Sequence, residues 1–475
     1  MTNKSMTKKE FDDDWKIWIW SNVGRGCAKE GIFKILIDNG FDYDSIKNEL
    51  DFEPSVDLDQ IVIPQTNQSL PPNRFFVANS RRIDNDHVEL YTLENFLTED
   101  ECHYLIDLMQ SDLRQSTVTN EDEVEKDFRT SKTFDFNKIN DPVADAIDIR
   151  ICRTLGINPS YSEEIQGQIY DTGEEFKAHT DWFTPGTKEY IEHASTRGQR
   201  SWTFMIYLND VESGGETSFV EIGETIQPKA GSAVFWNNLY PHGQPNQNTM
   251  HHALPVKAGF KAVITKWFRV NGTGEMNWKT EAELLPNFTR IGFEKSKMPV
   301  ETYQLLKSFL DENRQRAEKE YQSLDYLAND STHPTVMVEL PVQLKQLASE
   351  SIKPIVEKWS GVEVVSTSIY GIRCYHQGTT LGPHRDTTET HILSAIININ
   401  QEVTNDWPLE IEDNYYCSHE VFLQPGEMLL YESARLLHGR ITPLQGDCYC
   451  NLFIHFMPAS DDWKESAWAK LHCSE

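Results

Sequence analysis

The residues best equipped for chemistry stand in "FKAHTDWF" at 176–183, where His179 and Asp181 lie two apart. Positions i and i+2 of an extended strand project to one face, so an imidazole and a carboxylate can converge while Thr180 turns away. A later strand must bring a third donor, and His242, His251 and His252 are the candidates. Two neutral imidazoles and one carboxylate on one face of an octahedral ion leave three adjacent positions open. A 2-oxo acid takes two of them through its carboxylate and keto oxygens, which leaves one for O2. That ligand economy belongs to non-haem Fe(II) oxygenases.

A dicarboxylic co-substrate would carry its second carboxylate deep into the fold, where it needs a cation. Lys261 opens "KAVITKWFR" and by alternation shares a face with Val263, Thr265 and Trp267. An ammonium group on an apolar face implies a partner.

The elements that must position these groups read as short β-rich runs, "QGQIY", "WTFMIYL", "TSFVE", "SAVFW" and "KAVITKWFRV", split by Gly, Pro and Asn clusters. This is the pattern of a barrel or double-sheet jelly roll. Ahead of them, "TLENFLTEDECHYLIDLM" predicts a strand and then a helix capped by Thr98, with Glu101 as capping-box partner. Residues 11–50 predict short helices whose tryptophans (Trp15, Trp18 and Trp20) serve a core, and the Pro/Gln/Asn-rich stretch at 51–79 reads as a linker. Helical patterns at 300–324 and 340–361 lead into a second β-rich region, "STSIYGIRCY", "THILSAIININ", "MLLYES" and "CYCNLFIHF".

The two β regions repeat one another. Tyr170 precedes His179 by nine residues and Tyr375 precedes His384 by nine; both stretches end His-x-Asp, and "GSAVFW" matches "GEMLLY". The expected fold is therefore α+β. It comprises two tandem double-stranded β-helix (jelly-roll) domains with flanking helices, divided as residues 1–75, 76–275 and 276–475.

The formal charge of −30 over 475 residues, with no basic stripe, argues against a nucleic-acid partner. No apolar run of about 18 residues argues for a bilayer span, and the start of the chain lacks a signal-peptide pattern, so the expected location is cytoplasmic and off the membrane. The eight cysteines form no disulfide framework and are expected as reduced, buried thiols.

From about Leu90 to Arg269 the chain resembles the catalytic domain of the prolyl 4-hydroxylases, which are Fe(II)- and 2-oxoglutarate-dependent. The features shared are "FRTSKTF", the His179/Asp181 pair, "GGETSF", "KAGSAVFW", "HHALPV" and a lysine ten residues after the first histidine of that last motif. The resemblance implies iron ligation by His179, Asp181 and His251, with Asp181 indispensable to catalysis. It further implies that Lys261 and Tyr170 hold the far carboxylate of 2-oxoglutarate, and that ascorbate serves as reductant. Arg129, Ser131, Glu163, Arg200 and Trp267 fall where the family contacts its peptide, and residues 182–200 where it has a mobile lid. Phe176 and Arg269 depart from the tyrosine and histidine expected there. The implied reaction is hydroxylation of a prolyl residue in a protein or peptide. The alternatives are hydroxylation of a free amino acid or small metabolite, and a non-catalytic metal-holding sensor.

His384, Asp386 and His438 form a second possible metal triad. No lysine follows it at the matching distance, where Cys448 and Tyr449 stand, so Arg440 or Arg373 would have to substitute. The bland alternative is a degenerate copy serving as a docking or dimer surface. His391 and His455 read as structural histidines.

Overall fold

The computed structural model describes residues 11, 13–24, 29–38, 41–54, 76–116, 128–185, 187–240, 243–319, 327–328, 335–460 and 463. Two compact units are present. The first comprises residues 1–75 and 80–278, the second residues 76–79 and 279–475.

Three short helices open the chain: α1 (Asp13–Gly24), α2 (Lys29–Asp38) and α3 (Tyr43–Leu50). Ile19, Ile32, Phe33, Leu36, Ile46 and Leu50 bury one small core between them. Asp42 caps α3 through its carboxylate, and Asp51 ends that helix in the left-handed region at φ 45°. Trp15 and Trp18 pack against this core as expected. Trp20 does not: it is 44% exposed, and its indole N–H donates to Glu49 at 3.0 Å.

The rest of the first unit runs β1 (Ser80–Arg82), β2 (Leu90–Leu93), α4 (Glu99–Gln110), β3 (Arg114–Gln115), β4 (Lys132–Asp135), α5 (Pro142–Leu155), β5 (Gln166–Tyr170) and β6 (Phe176–His179). It continues with α6 (Lys188–Ala194), β7 (Arg200–Tyr207), β8 (Ser213–Gly214), β9 (Thr217–Phe219), β10 (Glu224–Ile226), β11 (Ala233–Asn237), β12 (His251–Ala253), β13 (Val256–Ala258) and β14 (Lys261–Arg269). An eight-stranded sheet in the order β1-β2-β11-β7-β14-β5-β4-β3 accompanies a four-stranded sheet, β10-β9-β12-β6, and every pairing is antiparallel. The larger sheet supplies Tyr170, Met205, Val234, Trp236 and Val263 to a core that also takes Phe219 from the smaller one. The predicted capping box of Thr98 and Glu101 starts α4. Gly231 of "KAGSAVFW" sits at φ +73°, and a Cβ there would lie 2.3 Å from the Leu97 carbonyl oxygen, so the tight approach of the chain before β11 demands glycine.

In the second unit the order is β15 (Phe293–Lys297), α7 (Val300–Asn313), β16 (Glu318–Lys319), β17 (Leu327–Ala328), β18 (Val336–Glu339), α8 (Val342–Ser360), β19 (Val364–Tyr375) and β20 (Thr380–His384). There follow β21 (Leu393–Val403), β22 (Leu409–Glu412), β23 (Ser418–Val421), β24 (Glu427–Tyr431), β25 (His438–Arg440) and β26 (Gly446–Pro458). These strands make a seven-stranded sheet, β15-β24-β21-β26-β19-β18-β16, and a five-stranded sheet, β17-β20-β25-β22-β23. Helices α7 and α8 add Leu306, Leu310, Ile352 and Val356 to a core shared with β19, β21 and β26.

Two sequence expectations fail in this unit. The helix predicted over 300–324 ends at Asn313, where the stripe of Leu306 and Leu310 next meets Arg314; a tight turn over Arg314–Arg316 and β16 follow, and residues 320–324 lie outside the described residues. Nor are all cysteines free thiols. Cys374 and Cys450 are direct cross-strand neighbours on β19 and β26, with Cα atoms 4.1 Å apart, and form a disulfide. Among the described residues no helix is long and apolar enough to cross a membrane.

Candidate metal centre and active site

Antiparallel pairing of β12 with β6 places His251 directly opposite His179, with ring centroids 4.3 Å apart. Asp181 lies two residues past His179, its Oδ1 4.0 Å from His179 Nε2, and the donor atoms of all three side chains fall within 4.8 Å of one another. Each imidazole donates its Nδ1 proton to the carbonyl two residues back, His179 to Lys177 at 2.7 Å and His251 to Thr249 at 2.9 Å. That fixes the tautomer and leaves both Nε2 lone pairs free for a shared ion. Burial, and then the neighbouring His251, hold the His179 pKa well below the usual imidazole value, so it is neutral and ready to ligate. Phe176 stacks on the His179 ring with centroids 3.5 Å apart, and the Arg129 guanidinium lies over the Phe176 ring at 4.7 Å.

The alternatives for the third ligand separate. His252 faces away and pairs with Glu175 at 2.8 Å. His242 lies outside the described residues.

Sequence reasoning missed what holds the carboxylate. Thr203 on β7 donates to Asp181 Oδ2 at 2.6 Å, Asn238 donates to Thr203 at 2.8 Å, and the Trp236 indole donates to Asn238 at 2.9 Å. This buried relay leaves Asp181 Oδ1 for the ion. The one signal in the sequence was a threonine amid the apolar run "WTFMIYL". Thr203→Val is expected to lower metal affinity about 10- to 100-fold while leaving the fold intact, measurable by competition with a chelator.

On one side of the triad a small chamber of about 40 Å³ is lined by Tyr170, Thr217, Ala253, Lys261, Val263 and Thr265. Lys261 is 1% exposed, 3.4 Å from Thr217 Oγ1 and above the rings of Tyr170 and Tyr207, and burial brings its pKa down to about 7. On the other side lies a cleft of about 1120 Å³. His179, Asp181, Arg129, Phe176 and Trp267 line both spaces, so the metal point sits at their junction.

Glu163 and Arg200 border the cleft as a two-pronged ion pair at 2.7 and 2.8 Å, with Arg200 stacked on Trp267 at 4.1 Å. Burial would raise the Glu163 carboxyl, but Arg200 and Arg269 outweigh it and hold the group below its usual value. Arg269 reaches Glu163 at 3.2 Å and lies over Phe183. Among the described residues the buried Trp267 indole N–H has no partner. Ser131 does not line the cleft; it is buried, bonded to Ser116 at 2.9 Å and to Arg129 Nε at 3.3 Å. Residues 182–200, expected as a mobile lid, carry α6 and pack Phe183, Tyr190 and Ala194 together, with Gln199 bracing the Phe183 backbone.

The second triad also assembles, His384, Asp386 and His438 having donor atoms within 4.8 Å of one another. The rings of His391 and His455 lie 3.7 Å apart at a 34° tilt, and His455 Nδ1 is 2.7 Å from Ser394 Oγ and 3.9 Å from Asp386 Oδ2.

A two-histidine, one-carboxylate centre between the sheets of an antiparallel sandwich defines the class of non-haem metal oxygenase sites. Residues 165–269 match the model of the 2OG-Fe(II) oxygenase superfamily, and the chain carries a 2OG-Fe(II) oxygenase domain there. The human prolyl 4-hydroxylase subunit alpha-1 is 31% identical over 203 residues, covering 42% of this chain and 38% of the relative. Its chicken (Gallus gallus) counterpart is 36% identical over 145 residues, 30% of this chain and 28% of that one. The chain thus spans about two fifths of the human relative's length. Among solved structures, the viral collagen prolyl hydroxylase of Paramecium Bursaria Chlorella virus-1, as its 2OG complex, is 26% identical, covers 40% of this chain and 98% of that one, and superposes with a TM-score of 0.32.

Proposed function

We propose that the first unit hydroxylates a prolyl residue in a protein or peptide, converting 2-oxoglutarate to succinate and CO2. The observation that carries this reading is the placement of the triad at the junction of a large cleft and a small chamber ending at a buried ammonium. The donor set fits a ferrous ion: two tautomer-fixed imidazoles and a carboxylate with one oxygen already engaged. When bound, iron supplies the activation of O2 that no side chain can provide.

His179, Asp181 and His251 hold the metal. Lys261 neutralises the far carboxylate of 2-oxoglutarate, with the Tyr170 hydroxyl beside it. A cleft of about 1120 Å³ exceeds what a free amino acid needs and suits an extended segment, which Arg129, Arg200 and the unpartnered Trp267 N–H would orient through its carbonyls. Glu163 holds Arg200 in place, and Ser131 supports Arg129 from beneath.

The second unit is read as another double-stranded β-helix. Its strand order β24-β21-β26-β19 parallels β11-β7-β14-β5, and β23-β22-β25-β20 parallels β10-β9-β12-β6. The repeated Tyr…His-x-Asp spacing supports the same reading.

The test is succinate formation with iron, ascorbate and a panel of proline-containing peptides, each paired with its proline-to-alanine version, and mass spectrometry of the product. A gain of one oxygen confined to proline peptides is the expected result. Turnover of free amino acids with every peptide left untouched would refute the peptide assignment and keep the enzyme class.

A further inference from the structure

We propose that the second unit holds its own metal ion and a short keto-dicarboxylate, with Arg440 anchoring the ligand's far carboxylate from a strand position where the first unit has no charge. The metal donors are arranged by the same devices as in the first unit. His438 on β25 lies opposite His384 on β20, and Asp386 follows two residues on. His384 donates Nδ1–H to the Gly382 carbonyl and His438 to that of Leu436, both at 2.9 Å, so each Nε2 is aimed at Asp386 Oδ1, 3.8 and 3.9 Å away. The other Asp386 oxygen is 3.5 Å from the Tyr431 hydroxyl.

The anchor differs. Lys261 of β14 is the cross-strand partner of Tyr170; in the second unit the partner of Tyr375 is Tyr449, which carries no charge. Two residues past His251 stands Ala253, lining the chamber before Lys261; two past His438 stands Arg440, on the same strand face as its metal ligand. The cation stands on the strand of the distal histidine in the second unit, and a tyrosine takes the position of the lysine. Arg440 spreads its guanidinium over the rings of Tyr449 at 4.7 Å and Trp407 at 4.5 Å, so the charge is brought to the tyrosine standing where the lysine would be.

Arg440 is 2% exposed. Its hydrogen bonds go to the Trp407 carbonyl and the Tyr449 hydroxyl, and among the described residues no carboxylate pairs with it. A buried guanidinium lacking a counter-charge is costly, and its fork of donors matches a carboxylate. Tyr375 is fully buried in an aromatic cluster with Trp407 and Tyr449, and among the described residues its hydroxyl has no partner. A buried cation two residues along the strand from a metal donor, with an unsatisfied hydroxyl in the aromatic cluster it lies on, is what a dicarboxylate would satisfy. Arg373, the other candidate, lies over Phe453 at 5.6 Å, and its charge is also felt at His384 and His455.

The test uses the full chain with the first site emptied by His179→Ala and Asp181→Ala, so that its failure leaves the reading of the first unit untouched. After dialysis against Mn(II), metal analysis is expected to give two ions per chain in the parent, one in this variant, and none once Asp386→Ala is added. Calorimetric titration of the Mn(II)-loaded variant with 2-oxoglutarate should show binding that weakens at least about tenfold in Arg440→Met and recovers in part in Arg440→Lys, with metal content unchanged. Absence of Mn(II) from the His179→Ala/Asp181→Ala chain would overturn the metal site. Equal 2-oxoglutarate binding by Arg440→Met would overturn the anchor, as would loss of metal and melting temperature in both Arg440 variants, which marks a structural arginine.

Discussion

Replacing Asp181 by alanine is expected to lower succinate formation by more than about a hundredfold, since even residues that merely support a metal ligand are worth 10- to 100-fold. The variant keeps both imidazoles, whose orientation depends on the Lys177 and Thr249 carbonyls and not on the carboxylate. What it loses is the anionic donor that Thr203 aims at the metal point. Asp311→Ala is a suitable control, because that carboxylate is exposed and pairs with Lys307 one helical turn away. Iron content measured alongside turnover separates failure to hold the ion from failure to use it. Turnover equal to that of the parent chain would remove the first unit from consideration as the seat of the reaction.

Loss of the ammonium in Lys261→Met should raise the KM for 2-oxoglutarate about ten- to a hundredfold, the worth of a buried charge-assisted contact. A pH profile distinguishes this from simple damage. Burial brings the free lysine to about pKa 7, and a carboxylate partner must raise it on binding. Binding is therefore strongest below pH 7, where the ammonium is already charged. Above pH 7 each ligand bound must recruit a proton, and affinity falls by up to about tenfold per pH unit until the raised, ligand-bound pKa is reached. In Lys261→Met this slope should vanish. Lys261→Arg stays charged throughout, so its profile should be flat even where its affinity is reduced. A parent-like slope in Lys261→Met would assign the titration to another group.

Local spacing made much of this legible in advance. His-x-Asp on a strand, the nine-residue interval from Tyr170 to His179, and the alternation placing Lys261 with Val263, Thr265 and Trp267 are properties of a short stretch of chain, and all reappear in the folded first unit. The same holds for the Thr98 capping box, whose hydrogen bonds span three residues.

The amino-acid sequence by itself thus determined the donor types, their intervals and the sandwich that carries them. Only the tertiary structure placed His251 rather than His252 opposite His179, because that depends on the register of β12 against β6, and a slip of one residue would have exchanged the two. It also brought Thr203 under Asp181, joined Cys374 to Cys450 and carried Arg440 to Tyr449. These contacts link strands distant along the chain, and their registers are fixed by side chains packing across whole sheets, information that no single stretch of residues contains.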